Sequence, residues 1–231
     1  MSKLINFYEL LPDELKVKKV PNIGFKNHGI SMPCRILISG SSNQGKTLSI
    51  LNYLKLAQNG KKGQYDRITV ITKKLEPLYE YIKMKNPKNV DIIEMADDDS
   101  VLPTIESFNG AEQNFVIFDD LINEKHLMKD IKEFFTRVRK LKPYTLNMCF
   151  ITQDFRETNS TIRKNMKHLW LFKPTTEREK AMIAQDVPLL KNKQLWTRLE
   201  HKEHPDDPNN FLNVDINKNT VRINFEKINC C

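Results

Sequence analysis

Residues 34–54 read CRILISGSSNQGKTLSILNYL. The apolar run Ile36, Leu37, Ile38 stops at Gly40, and Gly45-Lys46-Thr47 comes five residues later. The run has the length and β-branched character of a buried strand, and the residues after Thr47 read as a helix, so the intervening segment has to turn a strand into a helix. That context, with the spacing, completes the pattern G-x-x-x-x-G-K-[ST]. Its glycines allow a tight wrap whose backbone N–H groups point inward at phosphate oxygens, and the helix N-terminus adds its dipole. Gly40, Ser41, Ser42, Asn43, Gln44, Gly45, Lys46, Thr47 and Leu48 are therefore the expected ATP-binding residues. Lys46 is expected to reach the β- and γ-phosphates, and the Thr47 hydroxyl to take a place on Mg2+.

Such a loop needs a second metal partner on a neighbouring strand. NFVIFDDLI, residues 114–122, offers it: the apolar run Phe115 to Phe118, then Asp119 and Asp120. Asp119 is expected to hold the metal, and Asp120 to orient or deprotonate the water that attacks the γ-phosphate. LNMCFITQD, residues 146–154, ends an apolar run in Gln153, whose carboxamide both donates and accepts hydrogen bonds. If its strand lies between those of the glycine loop and the acidic pair, Gln153 faces the γ-phosphate. Transition-state charge still calls for an arginine, often from a neighbouring subunit. Arg139 is the first choice, Arg163 in STIRKN the second, and Arg137 a further candidate.

Along the chain, short β-rich runs at 34–39, 67–72, 90–95, 114–119, 146–152 and 168–173 alternate with helical candidates at 46–58, 75–85, 100–108, 124–141, 159–167 and 176–186. This is the pattern of an α/β fold with a mostly parallel central sheet flanked by helices. In 124–141, Leu127, Ile131, Phe134, Phe135 and Val138 recur at three and four residues and make one apolar face. After Pro188 come a basic helical stretch and FLNVDINKNTVRINF, read as two short strands around an Asn-Lys-Asn turn. The expected organisation is a lead-in over 1–30, an ATPase core over 31–190, and a C-terminal helix and hairpin over 191–231 belonging to the same domain.

The 231 residues carry 37 Lys and Arg against 29 Asp and Glu, a formal net charge of +8 that favours polyanionic partners. Cys34, Cys149, Cys230 and Cys231 have neither the spacing of a metal site nor that of a disulfide framework, so a reducing compartment is expected. No stretch reaches 18 uninterrupted apolar residues, and the N-terminus has no long apolar segment, so neither a membrane span nor a secretion signal is expected.

GSSNQGKT, FVIFDD and FITQ, in that order and with STIRKN after them, resemble the FtsK-HerA superfamily of P-loop ATPases. Within it, the compact size and the FDD pair look most like the DNA-packaging ATPases of poxviruses, other large DNA viruses and virophages. The resemblance spans about residues 30–190. It implies an additional-strand (ASCE, RecA-like) P-loop fold, a ring-like homo-oligomer, and ATP-driven movement of double-stranded DNA into a capsid. A capsid or portal component as partner, and a site of action in the virus-infected cell and its virion, are implied by the same likeness. It maps Lys46 and Thr47 to the phosphate loop, Asp119 and Asp120 to the acidic motif and Gln153 to the sensor. The arginine departs from the pattern, since TRVRKLKPYT lacks the glycine usual in the segment before the sensor strand.

Gripping DNA of any sequence needs phosphate contacts, for which Lys140, Lys142, Lys164, Lys167, Lys173, Lys191 and Lys193 are candidates, though each also suits a solvated face. Two other readings stay open. A small nucleotide or metabolite kinase also begins with a P-loop but wants an arginine-rich lid. A DNA-binding structural protein with a vestigial nucleotide site would not need Lys46, Thr47, Asp119 and Asp120 together.

Overall fold

The computed structural model describes residues 5–96, 100–137, 141, 143–174, 176–201 and 209–228. Six parallel strands form the centre of one sheet: β1 (Arg35–Ser39), β4 (Arg67–Thr72), β5 (Val90–Glu94), β6 (Asn114–Asp119), β7 (Asn147–Thr152) and β8 (His168–Leu171). Three antiparallel strands, β9 (Leu212–Asp215), β10 (Thr220–Ile223) and β11 (Glu226–Lys227), extend it beyond β8. The order across the sheet is β11-β10-β9-β8-β1-β7-β6-β4-β5. A separate two-stranded ribbon, β2 (Gln58–Asn59) with β3 (Lys62–Gly63), comes after the first long helix and has no counterpart among the expected strands.

Alternation along the strands sorts side chains onto two buried faces. Ile36, Ile38, Phe115, Ile117, Cys149 and Ile151 meet α2 (Lys46–Leu56) and α3 (Pro77–Lys85), with Tyr53, Tyr79 and Ile82 from the helices. Leu37, Val116, Phe118, Met148 and Phe150 meet α4 (Met128–Arg137), α5 (Ser160–Asn165), α6 (Glu177–Asp186) and α7 (Lys193–Glu200). Ile131, Phe134 and Phe135 of α4 turn inward as their spacing demands. Trp170 and Trp196 are both core residues, and so are Cys34 and Cys149, whose thiols burial pushes upward, Cys34 to about 11. Cys230 and Cys231 lie outside the described residues. Among the described residues, no helix is long and apolar enough to cross a membrane.

Two helical expectations change. Within 100–108 only a 3-10 turn forms, Ile105–Ser107, because Pro103 has no N–H and keeps Leu102 out of helical geometry. The helix expected from 124 begins at Met128, after turns in which Leu127 N–H donates to Glu124. Residues 22–30 of the lead-in pack onto the sheet domain: α1 (Phe25–His28) lies against α2, and His28 and Ile30 are buried.

The C-terminal strands are tied in by a polar contact at the foot of β8. His168 is fully buried, its Nε2 accepts from the Ser31 N–H at 3.1 Å, and the Ser31 hydroxyl donates to Asp215 at 3.2 Å. Burial pushes the imidazole down to about 4, with Lys167 and Lys218 acting the same way and Asp215 opposing. As pH falls below about 6.5, the unfolded chain takes up this proton before the folded one does, so stability is lost between about pH 6.5 and 4. Urea titrations should show wild type losing roughly 2–3 kcal/mol across that window relative to His168→Gln. Parallel pH profiles for the two proteins would remove His168 as the cause.

Candidate functional site

The loop between β1 and α2 wraps as its sequence requires. Gly45 takes φ 93° and Asn43 φ 61°, left-handed conformations that glycine and asparagine tolerate. Gly40 meets a different demand, because a β-carbon there would come within 2.5 Å of Phe172 Cβ and Gln44 Oε1. Inside the wrap, Lys46 Nζ donates to the Ser41 carbonyl at 2.8 Å. Gln44 reaches across to donate to the Lys173 carbonyl at 3.1 Å, which anchors the loop to the end of β8.

Beside the loop lies a cleft of about 340 Å³, lined by Ser42, Gly45, Lys46, Thr47, Asp119, Asp120 and Gln153 among others. The sheet order explains the grouping: β7 stands between β1 and β6, so the three strands bring their C-terminal ends to one level. Gln153 joins the other two, since its Oε1 accepts from the Ser42 hydroxyl at 3.1 Å and its Nε2 donates to Asp120 Oδ1 at 3.2 Å. Asp120 itself sits at φ 54°, a turn that swings its exposed carboxylate away from the strand direction.

Asp119 is only 6% exposed, and Tyr79 Oη of α3 donates to its Oδ2 at 2.7 Å. Burial, reinforced by Glu76 and Asp120, pushes its carboxyl up to about 6 against the opposing Tyr79 hydrogen bond and Lys46 charge. Lys46 is pushed down, again chiefly by burial. Two side chains that no sequence motif marked thus belong to the site. Tyr79 is one; the other is Glu76, just before α3, whose Oε2 accepts from Thr47 Oγ1 at 2.7 Å. The only trace in the sequence is an acidic residue preceding Pro77 at the end of a strand, which reads equally as an ordinary helix start.

The arginines are placed differently. Arg139 lies outside the described residues, as do Lys140 and Lys142. Arg163 does not line the cleft: its guanidinium donates to the carbonyls of Arg156 and Thr158, at 3.0 and 2.7 Å, and its Nε lies 2.9 Å from Asp186 Oδ2. Those contacts staple α5 and α6 together within one chain. Arg137 pairs with Glu133 one helical turn away. Of the candidate DNA-contacting lysines, Lys164, Lys191 and Lys193 are exposed, Lys173 pairs with Glu200 at 3.5 Å, and Lys167 donates to the Pro33 carbonyl at 2.7 Å.

Solved structures share this architecture. The genome packaging NTPase B204 of Sulfolobus turreted icosahedral virus 2, in complex with ATP-gammaS, superposes with a TM-score of 0.58 at 15% identity, over 86% of this chain and 100% of that one. The DNA-packaging ATPase B204 of Sulfolobus turreted icosahedral virus gives 0.58 at 14%, over 85% and 98%. This is the fold that the sequence resemblance implied. The cytoplasmic domain of the type VII secretion ATPase EccC of Thermomonospora curvata gives 0.55 at 11%, over 99% of this chain and 31% of that one. No protein-family model and no curated protein matches the sequence. At these identities the likeness speaks for the P-loop α/β fold with its additional strand between β1 and β6.

A buried carboxylate whose pKa is raised costs the folded state stability once it ionises. Below the ordinary Asp value near 3.8 the cost is absent, and it grows as pH rises to about 6. Asp119→Asn, which keeps an acceptor for Tyr79, should therefore stabilise the ligand-free protein by about 1–3 kcal/mol at pH 7.5. The gain should vanish near pH 4. Chemical denaturation at the two pH values measures it, and an equal effect at both would mean that ionisation of Asp119 is not the source.

Proposed function

We propose that this chain is an ATP-hydrolysing motor of the FtsK-HerA type that moves double-stranded DNA into a viral capsid. The observation that supports it most is the Ser42–Gln153–Asp120 hydrogen-bond chain, which links phosphate loop, inserted strand and acidic strand around one cleft. The fold, held in common with viral packaging ATPases over nearly the whole of their length, is consistent with that reading. The action would take place in a virus-infected cell, on DNA of any sequence, by a ring of like subunits docked on a capsid or portal component. The 31–190 core would carry the chemistry, with the 191–231 strands as part of the same domain.

In this reading, backbone N–H groups from Gly40 to Leu48 hold the phosphates, and Lys46, released from Ser41, takes up γ-phosphate charge. Thr47 and Asp119 would hold Mg2+, which when bound neutralises phosphate charge in the cleft. The donor set fits: a buried carboxylate beside two further acids lacks a full counter-charge, and the Thr47 hydroxyl donates its hydrogen bond to Glu76, which leaves that oxygen's lone pairs for a cation. Asp120 orients and deprotonates the attacking water, and Gln153, bonded to it, registers whether the γ-phosphate is present. The arginine finger falls to Arg139 rather than to the internally bonded Arg163.

Steady-state hydrolysis of MgATP should rise per subunit with protein concentration and again with long double-stranded DNA, and should be absent in Lys46→Ala. Asp120→Asn should still bind ATP but turn over about 10²–10⁴-fold more slowly. A rate indifferent to concentration and DNA would instead favour a kinase with a small acceptor.

Glu76 should show itself in metal dependence. Glu76→Ala is expected to raise the Mg2+ concentration needed for half-maximal ATP binding about tenfold or more, while Glu76→Gln, which still accepts from Thr47, recovers most of the loss. Metal titrations monitored by nucleotide fluorescence decide this, and an unchanged midpoint in Glu76→Ala would make the Thr47 contact merely structural.

A further inference from the structure

Apolar side chains left in the open are concentrated in two places. Among the described residues nine large ones are exposed, and six of them, Ile5, Phe7, Tyr8, Leu10, Leu15 and Val17, fall in one stretch of the lead-in. Two more, Tyr81 and Met84, stand three residues apart on one side of α3. We infer that these two surfaces meet between copies of this chain: residues 5–15 of one copy dock into the groove beside Tyr81 of a second. The inference does not depend on nucleotide binding, and it names the contact that a ring of like subunits would repeat.

The groove, of about 650 Å³, lies between the C-terminal half of α2, the β2–β3 ribbon and α3. Half-buried Leu51, Leu54 and Ile68 and the Tyr81 ring give it apolar walls, with buried Tyr65 and Ile82 beneath them. Its charge is of one sign. Lys55 and Lys61 line it and no carboxylate does, while Lys85 Nζ stands 5.6 Å from the centre of the Tyr81 ring. Apolar walls with a basic rim suit a segment that is both apolar and acidic.

The lead-in supplies such a segment. Residues 5–15 read INFYELLPDEL, with Glu9, Asp13, Glu14 and no basic residue, in a chain whose net charge is +8. The segment is already shaped: Asn6 Oδ1 accepts from the Tyr8 N–H at 3.3 Å and caps a 3-10 turn over Phe7–Glu9, and a second turn spans Asp13–Leu15. Among the described residues, the hydrogen bonds of 5–17 all stay within the segment. Turns set by its own polar groups, with the apolar groups facing out, leave less freedom to be lost on docking.

Within one chain the segment sets out from the layer opposite its own groove. Lys18 N–H donates to the Pro143 carbonyl at 2.9 Å, in the connection from α4 to β7, and α4 packs on the sheet face away from α2 and α3. Docking on a second copy is a heterologous contact: each chain gives its segment to one neighbour and its groove to another, so a single contact repeats around a ring.

Sedimentation velocity of the full chain over a range of concentrations tests this. Wild type should self-associate. The double variant Phe7→Ser, Tyr8→Ser on the segment and Tyr81→Glu on the groove, all at exposed positions, should each associate about tenfold or more weakly while melting at the wild-type temperature. Mixed together, the two should form a one-to-one complex, because the intact segment of the Tyr81→Glu chain meets the intact groove of the other. A wild-type chain that stays monomeric at every concentration would overturn the proposal, and so would a mixture that forms no complex. Association left unchanged by both variants would overturn it too, while a ring built on other surfaces would stand.

Discussion

The site depends on parallel pairing of β7 with β1 on one side and β6 on the other. The register sets Ser39 opposite Thr152 and Asp119 opposite Ile151. With a rise of about 3.3 Å per residue, strands paired in this way end within about one residue of a common level. Gly40, Gln153 and Asp120, the residues that leave those ends, are consequently neighbours although they are far apart in the chain. Both faces of all three strands are buried, so their backbone groups have no solvent to turn to and the ladder must be complete. A rigid platform of three strand ends is the outcome.

Burial that secures the platform also charges it unfavourably. It pushes Asp119 up and Lys46 down, each toward its neutral form, although they are opposite charges that assist one another. The desolvation of each outweighs their attraction, which is the usual balance for partly buried ions. Neighbouring Glu76 and Asp120 deepen the deficit on the acidic side. A polyphosphate carrying a divalent cation would relieve both ends at once, since the anion answers Lys46 and the cation answers Asp119. Ligand-free stability and readiness to bind are then opposed properties of the same side chains.

The parts of this arrangement legible in the sequence were those written in consecutive residues. The strands at 114–119 and 67–72 are found where short β-rich runs placed them, and α2 starts at the lysine of the glycine loop. Strand order was not written there, because β1 pairs with strands more than a hundred positions further along the chain; the placement of β7 could be stated only as a condition. Glu76 and Tyr79 escaped for a related reason. Each reaches the site from α3 or its entry, and nothing about a lone glutamate or tyrosine reveals that its partner is Thr47 or Asp119. The helix expected over 100–108 does not form, because Pro103 lacks an N–H and restricts Leu102, and a 3-10 turn at Ile105–Ser107 takes its place. Arg163 was the second choice for the arginine, and the carbonyls and the carboxylate that hold its guanidinium come from residues that spacing does not single out.

The sheet's edges bear on how copies of this chain could meet. At one edge β11 is two exposed residues long, Glu226 and Lys227. At the other, β5 carries Asp91, ion-paired with Arg67 at 3.2 Å and with Lys83 at 3.6 Å. Short strands and charged side chains are what keep an edge from templating another chain. Strand addition is thus a poor route to the proposed ring, and subunit contacts have to come from loops and helices. The loops at the C-terminal ends of β6 and β7 already expose Asp120 and Gln153, so a neighbour docking there would reach the proposed reaction centre directly. An assembly made in that way would couple contact between subunits to the state of the nucleotide without any change in the sheet beneath it.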